Sequence, residues 1–308
     1  MNDWVGGLPR AAHERVERQR ASRTAGSLLS APAAASVQSA GLVPVGEVFG
    51  CLVMNMGWAG TGCGWRGLPT GGLGAFLGAA SVSPIITSGR GGAYSGFAPY
   101  TKAYETGWNG ALQRMLAEAR ALGAHGVVGV QIRRSHLAGA TWEFTALGTA
   151  VRSIDPLKVP FPTVAGEVWH TNLNAEDTAS SILSGFQPKE IVLGISISTK
   201  HEDWQLRQQR TSWVNGEVSG MSQLIQSARH ESRVRLAAHA THTGGAELVV
   251  TDMTLHEFET PCGGQEGKDF HAEAVTVGTT LVPIPRFRRN TAPPSVLTIL
   301  PLSDERKL

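Results

Sequence analysis

The feature that most constrains this 308-residue chain is that it says the same thing twice. "GLVPVGEVFGCLVM" (Gly41 to Met54) and "GFQPKEIVLGISIS" (Gly185 to Ser198) place Gly41, Pro44, Val48 and Gly50 on Gly185, Pro188, Val192 and Gly194 at one constant offset. A tryptophan follows each run, Trp58 and Trp204. Further on, "ALGAHGVVGVQI" aligns with "HTGGAELVVTDM", setting Gly123-Ala124 on Gly245-Ala246 and Val127-Val128 on Val249-Val250. "WEFTALGTAV" aligns with "AEAVTVGTTL", pairing Glu143 with Glu273 and Gly148-Thr149 with Gly278-Thr279. The matches keep their order, so the chain reads as a tandem duplication, and a repeat decides architecture before any local motif does.

Each unit has the same grammar. An alternating apolar strand opens it, Val43 to Met54 or Glu190 to Ser198, as period-two patterning requires. A variable insertion follows, then a long helix. In the first unit the helix runs from about Tyr100 to Leu122, with Trp108, Leu112, Met115, Ala119 and Leu122 on one stripe at helical spacing. Two strands close each unit: Val127 to Arg133 and Thr141 to Val151, then Leu248 to Phe258 and Ala272 to Val282. The expected fold class is α+β, a small β-insertion-α-β-β domain made twice, each an antiparallel sheet carrying one long amphipathic helix.

The boundaries follow from this grammar. Residues 1–40 form an N-terminal helical and extended segment, and 41–155 the first unit with a glycine-rich insertion at 57–98. Residues 156–184 are a Pro-rich linker and a short capped helix in "TNLNAEDTASSILSG", whose asparagine and acids suit a helix start. Residues 185–285 are the second unit and 286–308 a C-terminal tail.

A net charge of +2 offers no bulk attraction for nucleic acid, which calls for a strongly basic surface. The least polar window, "GLPTGGLGAFLGAASVSPIITSG", is broken by Pro69 and Pro84, so a spanning helix and membrane contact are not expected. A mixed-charge N-terminal stretch, "AAHERVERQRASR", argues against an export signal. The three cysteines, Cys51, Cys63 and Cys262, are an odd, sparse set that suggests free thiols in the cytoplasm.

The run "GWNGALQRMLAEARALGAHGVVGVQI", followed by "EFTALGTAV", resembles the YbjQ-type family of heavy-metal-binding-domain proteins. There a helix ending in an "ALGADAVVG"-like sequence precedes a strand ending in a "GTAV"-like motif. The resemblance spans roughly residues 28 to 285, and the openings "GLVPVGEVFG" and "PKEIVLGIS" resemble those of two-copy bacterial members. It implies a domain related in shape to dodecins, whose single-copy members assemble into symmetric rings, commonly pentamers, by exchanging strands or helices. It supplies no ligand motif to carry over residue by residue. The insertion at 57–98, a second insertion at 199–216 and the extension beyond Pro285 depart from the simple family pattern.

Local motifs add little chemistry. "GCGWRG" (Gly62 to Gly67) satisfies G-x-G-x-x-G, but no Asp or Glu occurs between Glu47 and Glu105, where a dinucleotide site needs a ribose-binding acid. Four His-Glu pairs, "HERVE", "HEDWQ", "HESRV" and "HEFET", lack the second histidine of a zinc protease. His239 and His242 stand at i, i+3 near the end of the second long helix. That spacing can set two imidazoles on one metal, although histidines there also complement the helix dipole. Cys63, among glycines and beside Trp65, is the more accessible thiol, Cys51 lies in an apolar strand, and Cys262 in "TPCGGQEG" falls on a predicted hairpin loop. His125, in the middle of "ALGAHGVVGV", stands at a helix-to-strand corner, with Gly123 suited to the left-handed position that ends a helix.

The leading expectation is a non-enzymatic, ring-forming homo-oligomeric assembly or binding protein of the cytoplasm, with no catalytic or cofactor-binding residues. The alternative is a metal-handling protein with a divalent metal on His239, His242 and Cys63. An enzyme with a site between subunits ranks third, because no nucleophile or acid–base constellation recurs in both units. A protein partner at the C-terminal tail, whose "SVLTILPL" is β-prone, or at the glycine-rich insertion is the remaining expectation.

Overall fold

A computed structural model describes residues 4–5, 8–22, 27–57, 83–88, 96–155, 167–262 and 267–284. Most of the glycine-rich insertion, including Cys63 and the "GCGWRG" motif, the linker 156–166 and the tail 285–308 lie outside the described residues. A short antiparallel pair, β1 (Trp4–Val5) and β2 (Leu8–Pro9), leads into helix α1 (Arg10–Ala21), and α2 (Ala31–Ser39) precedes the first main sheet.

That sheet joins β3 (Leu42–Asn55), β5 (Gly126–Ala138), β6 (Thr141–Ser153) and β7 (Trp169–His170) in the order β3-β6-β5-β7. Helix α3 (Ala98–Ala121) packs on it. The second sheet has the order β4-β8-β10-β9, from β4 (Ile85–Thr87), β8 (Phe186–His201), β9 (Glu247–Pro261) and β10 (Lys268–Pro283). Its helix is α6 (Ser219–Thr243). The fold is α+β, as the periodicities require. Helix α4 (Ala175–Leu183) starts where the capping residues placed it, with the Asn174 side chain accepting from the Asp177 amide at 2.7 Å.

Three small elements depart from the simple pattern. β4 arises in the glycine-rich insertion yet pairs antiparallel with β8 of the second sheet. β7 pairs parallel with β5, the single parallel contact among the described strands. Helix α5 (Trp204–Arg210) fills the second insertion, capped by Asp203, whose carboxylate accepts from the Leu206 amide at 2.8 Å. Two- and three-residue strands carry too few residues for alternation to be read.

Contacts recur at corresponding places in the two units. A Cβ on Gly50 would overlap the Ala111 carbonyl and Met115 amide of α3, and one on Gly194 would overlap the Ser232 carbonyl and Leu236 amide of α6. Both strands therefore need glycine so that a helix backbone can lie against them. The Arg114 guanidinium donates to the Cys51 carbonyl, and that of Arg235 donates to the Ile195 carbonyl. Gly123 and Gly244 end their helices at φ 70°, the left-handed conformation that costs glycine least.

These contacts correct the alignment read from sequence by one residue. The His125 amide bonds the Val151 carbonyl, and the corresponding bond in the second unit is from Ala246 to Leu281. Val128 faces Thr149, and Val249 faces Thr279. His125 thus corresponds to Ala246, Val127 to Leu248 and Val128 to Val249. The paired valines of "GVVG" and "LVV" drew the sequence alignment out of register, because a one-residue slip leaves an apolar pair matched.

Helix α3 is enclosed on two sides. Gly107, Gly110 and Ala111 approach the first sheet, while Trp108 shares a cavity with Ile191 and Val277 of the second. Ile191, Leu193, Ile195, Val275 and Val277 join the α3 core. The alternate residues of β8 point to α6, with Val192 packed on Leu236 and Ala240 and the Ser196 hydroxyl donating to the Ala228 carbonyl at 2.8 Å. Strands β8 and β10 of the second sheet are therefore covered on both faces by helices, while β9 is largely exposed. Among the described residues no helix is long and apolar enough to cross a membrane.

Candidate functional site

The densest set of interactions lies where the two sheets meet. Glu273 on β10 receives Arg134 of β5 at 2.8 Å and the Tyr100 hydroxyl at 2.7 Å. The Arg134 guanidinium also lies over the rings of Tyr104 (5.0 Å) and Trp142 (4.5 Å). Burial, and after it the Glu273 charge, pushes the Tyr100 phenol well above its ordinary range, so it stays a neutral donor. Each polar group has its complement, which makes this cluster a clasp between units. A cavity of about 410 Å³ opens beside it, between Trp108, Ile191, Asn172 and Asp252.

The second half of the junction is the segment that precedes α4. β7 pairs with Gly126 and Val127 of the first sheet. The Thr171 amide then donates to the Val127 carbonyl (3.0 Å), and the Thr171 carbonyl accepts from Val130 (2.9 Å). On its other side the segment holds its own unit: the Asn172 amide donates to the Thr279 hydroxyl at 3.3 Å. The Trp169 ring occupies the place a side chain at residue 126 would take, which is why glycine begins β5. Val128 is 0% and Val130 3% exposed under this cover. Val249, which corresponds to Val128, is 36% exposed, and its neighbour Val250 is 51% exposed.

A different cluster holds metal-binding side chains. His201 at the end of β8, Cys262 after β9 and Asp269 at the start of β10 bring their ligand atoms within 4.8 Å of one another. His201 Nδ1 lies 2.8 Å from Asp269 Oδ1 and 3.6 Å from Cys262 Sγ. All three are buried or nearly so. The mixed sulfur, nitrogen and oxygen set suits a borderline divalent ion such as zinc. Cys262 is, however, disulfide-bonded, while Cys51 is free. The expectation of free thiols throughout is therefore corrected at Cys262, which lies in the β9–β10 hairpin connection as expected and is buried there. A disulfide sulfur is not a thiolate ligand, so the trio fits a metal only when Cys262 is reduced.

The candidates picked from sequence lie apart from this cluster. His239 is half-buried against β8, its Nδ1 accepting from the Leu193 amide at 3.3 Å, and His242 is exposed in the last turn of α6. Cys63 lies outside the described residues. His125 Nδ1 accepts from the Ser153 amide at 3.2 Å, fixing the helix-to-strand corner. His201 and Cys262 were missed because they are far apart in sequence. The antiparallel pairings of Asp269 with His201 and of Lys268 with Pro261 bring the ends of the three strands together.

Comparison with known proteins gives three results. Residues 81–154 match the YbjQ-type family described as "Putative heavy-metal-binding", which bears out the resemblance read from the helix-to-strand motif in that region. An encapsulin nanocompartment protein of Mycobacterium tuberculosis is 32% identical over 158 residues, covering 50% of this chain and 59% of the relative. The matched region thus spans little more than half the length of that relative. No solved structure matches the chain.

Proposed function

We propose that this chain is a non-catalytic assembly protein, built from one fold duplicated in tandem, that associates with further copies of itself. The observation carrying this reading is an unequal edge. In the first unit Val128 is fully buried, in a cluster with Val37 of α2 and with Trp169, Ala175 and Ile182 of the segment that leads into the second, whereas the corresponding Val249 of β9 is 36% exposed. A long strand edge with exposed valines invites pairing unless it is covered. The kinship with a nanocompartment protein supports an assembly role and suggests that the oligomer works beside a protein shell. Size-exclusion chromatography with light scattering at micromolar concentration tests the reading. A multiple of the 32.6 kDa chain mass is expected, and a clean monomer overturns it.

A second reading is metal handling, favoured by the convergence of His201, Cys262 and Asp269. In this reading a dithiol reductant takes over the disulfide, Cys262 loses its thiol proton, and its thiolate joins the imidazole and carboxylate on the ion. Elemental analysis of protein reduced in the presence of zinc should find about one equivalent. Cys262→Ser and His201→Ala should abolish it, with His239→Ala and His242→Ala as the comparison. Equal zinc in Cys262→Ser and the parent would overturn the assignment.

A further inference from the structure

We propose that the cavity between the two units is a binding site for a free α-amino acid with an apolar side chain, a ligand the assembly reading does not call for. The carboxylate of the amino acid lies on Arg133, its ammonium on Asp252 and its side chain on the floor beside Trp108. The cavity holds about 410 Å³, at the small end of the range in which proteins enclose organic ligands.

Its lining divides into two layers. The floor is apolar: Trp108 of α3, Val130 of β5, Ile191 of β8 and Val277 of β10 are 5%, 3%, 3% and 7% exposed. The rim is charged, with exposed Arg133 on β5 and exposed Asp252 on β9, one from each unit. The Asn172 side chain closes one end, donating to the Thr251 hydroxyl and accepting from that of Thr279 at 2.6 Å. Its neighbour Thr171 is bonded to β5. One short segment thus ties the wall carrying Arg133 to the wall carrying Asp252.

The two charges decide the ligand class. Arg133 donates to Gln131 Oε1 at 3.0 Å, and among the described residues neither Arg133 nor Asp252 has an ion pair. Arg134 and Glu273, close by, are already paired with each other. The cavity therefore offers one guanidinium and one carboxylate over an apolar floor. A simple anion would be repelled by Asp252, and a simple cation by Arg133. A small zwitterion makes a charge-assisted hydrogen bond to each, and an α-amino acid holds both charges beside one carbon, leaving its side chain for the floor.

The repeat shows that neither charge is needed by the sheets. Gln131 and Asp252 hold the same register place, opposite Leu147 and Val277, and so do Arg133 and Thr254, opposite Thr145 and Val275. Each charge thus has a neutral polar residue at the matching place of the other unit, in a strand that pairs in the same way. Both charges face the one cavity.

Isothermal titration calorimetry on the full chain tests the site with four probes: L-leucine, L-leucinamide without the carboxylate, 4-methylpentanoate without the ammonium, and glycine without the side chain. One leucine should bind per chain with a Kd below about 1 mM, and each other probe at least about tenfold more weakly. Arg133→Gln should weaken leucine about tenfold and leave leucinamide unchanged. Asp252→Asn should weaken leucine about tenfold and leave 4-methylpentanoate unchanged. Both side chains are exposed, so circular dichroism and melting temperature should match the parent in both variants. No saturable binding of leucine up to about 10 mM overturns the proposal. So does leucinamide or 4-methylpentanoate binding as tightly as leucine, or leucine affinity unchanged in both variants. A monomer that binds leucine in this way overturns the assembly reading alone, and an oligomer that does not bind it overturns the site alone.

Discussion

Replacing Glu273 by Gln tests whether the clasp holds the two sheets together. The side chain of Glu273 is 3% exposed and that of Arg134 15%. The arginine stays charged at any workable pH, so Glu273→Gln leaves a buried cation facing an amide and the Tyr100 hydroxyl. Breaking a buried pair from one side costs about 3–5 kcal/mol. The rings of Tyr104 and Trp142 go on stabilising the guanidinium by roughly 1–2 kcal/mol, so the loss should fall near about 3 kcal/mol. With a urea m-value of about 3 kcal/mol/M, the unfolding midpoint should drop by about 1 M. Tyr100→Phe removes a neutral donor and should cost about 1 kcal/mol. Glu273→Leu combined with Arg134→Met removes both charges and should recover most of the loss. A Glu273→Gln midpoint within about 0.3 M of the parent refutes the reasoning. So does a double variant whose cost is the sum of the two single costs, because additivity means the pair is not coupled.

Gly194→Ala forces a methyl into the backbone of α6 and should lower stability by about 1–3 kcal/mol, with Gly50→Ala behaving alike against α3; parent-like urea midpoints would show that these helices can move away freely. His170 and His271 are both held neutral by burial, their pKa values lowered to about 4 from 6.5. The unfolded chain binds protons that the folded chain does not between those values. The stability both provide is complete above about pH 6.5 and is lost as pH falls toward 4, by up to about 3 kcal/mol each. A pH series of urea midpoints should show this slope, and His170→Gln should flatten it; an unchanged slope refutes the assignment of His170.

Much of the architecture was legible because its signals are local. The stripe of Trp108, Leu112, Met115 and Ala119 marked α3 within two residues, and the alternation of Val43 to Met54 marked β3. Asn174 announced the start of α4 because its cap lies three residues from the amide it satisfies. The candidate sites were far less legible. His239 and His242 drew notice because they are close in sequence, whereas His201, Cys262 and Asp269 meet only after β8, β9 and β10 have paired.

The sequence by itself determined the order of the main helices and strands and the glycine, Gly123, at which α3 ends. Helix and strand periodicity, caps and left-handed turns are properties of a few neighbouring residues, so one chain states them without its partners. Only the tertiary structure decided that α3 would lie between two sheets, that β4 would pair with β8 and β7 with β5, and that Val128 and Val249 would stand opposite Thr149 and Thr279. Those outcomes depend on which faces remain uncovered once the local elements exist. That is a balance of burial over long sequence separations, in which Val128 is fully buried while Val249, in the matching place of the second sheet, is left at the surface.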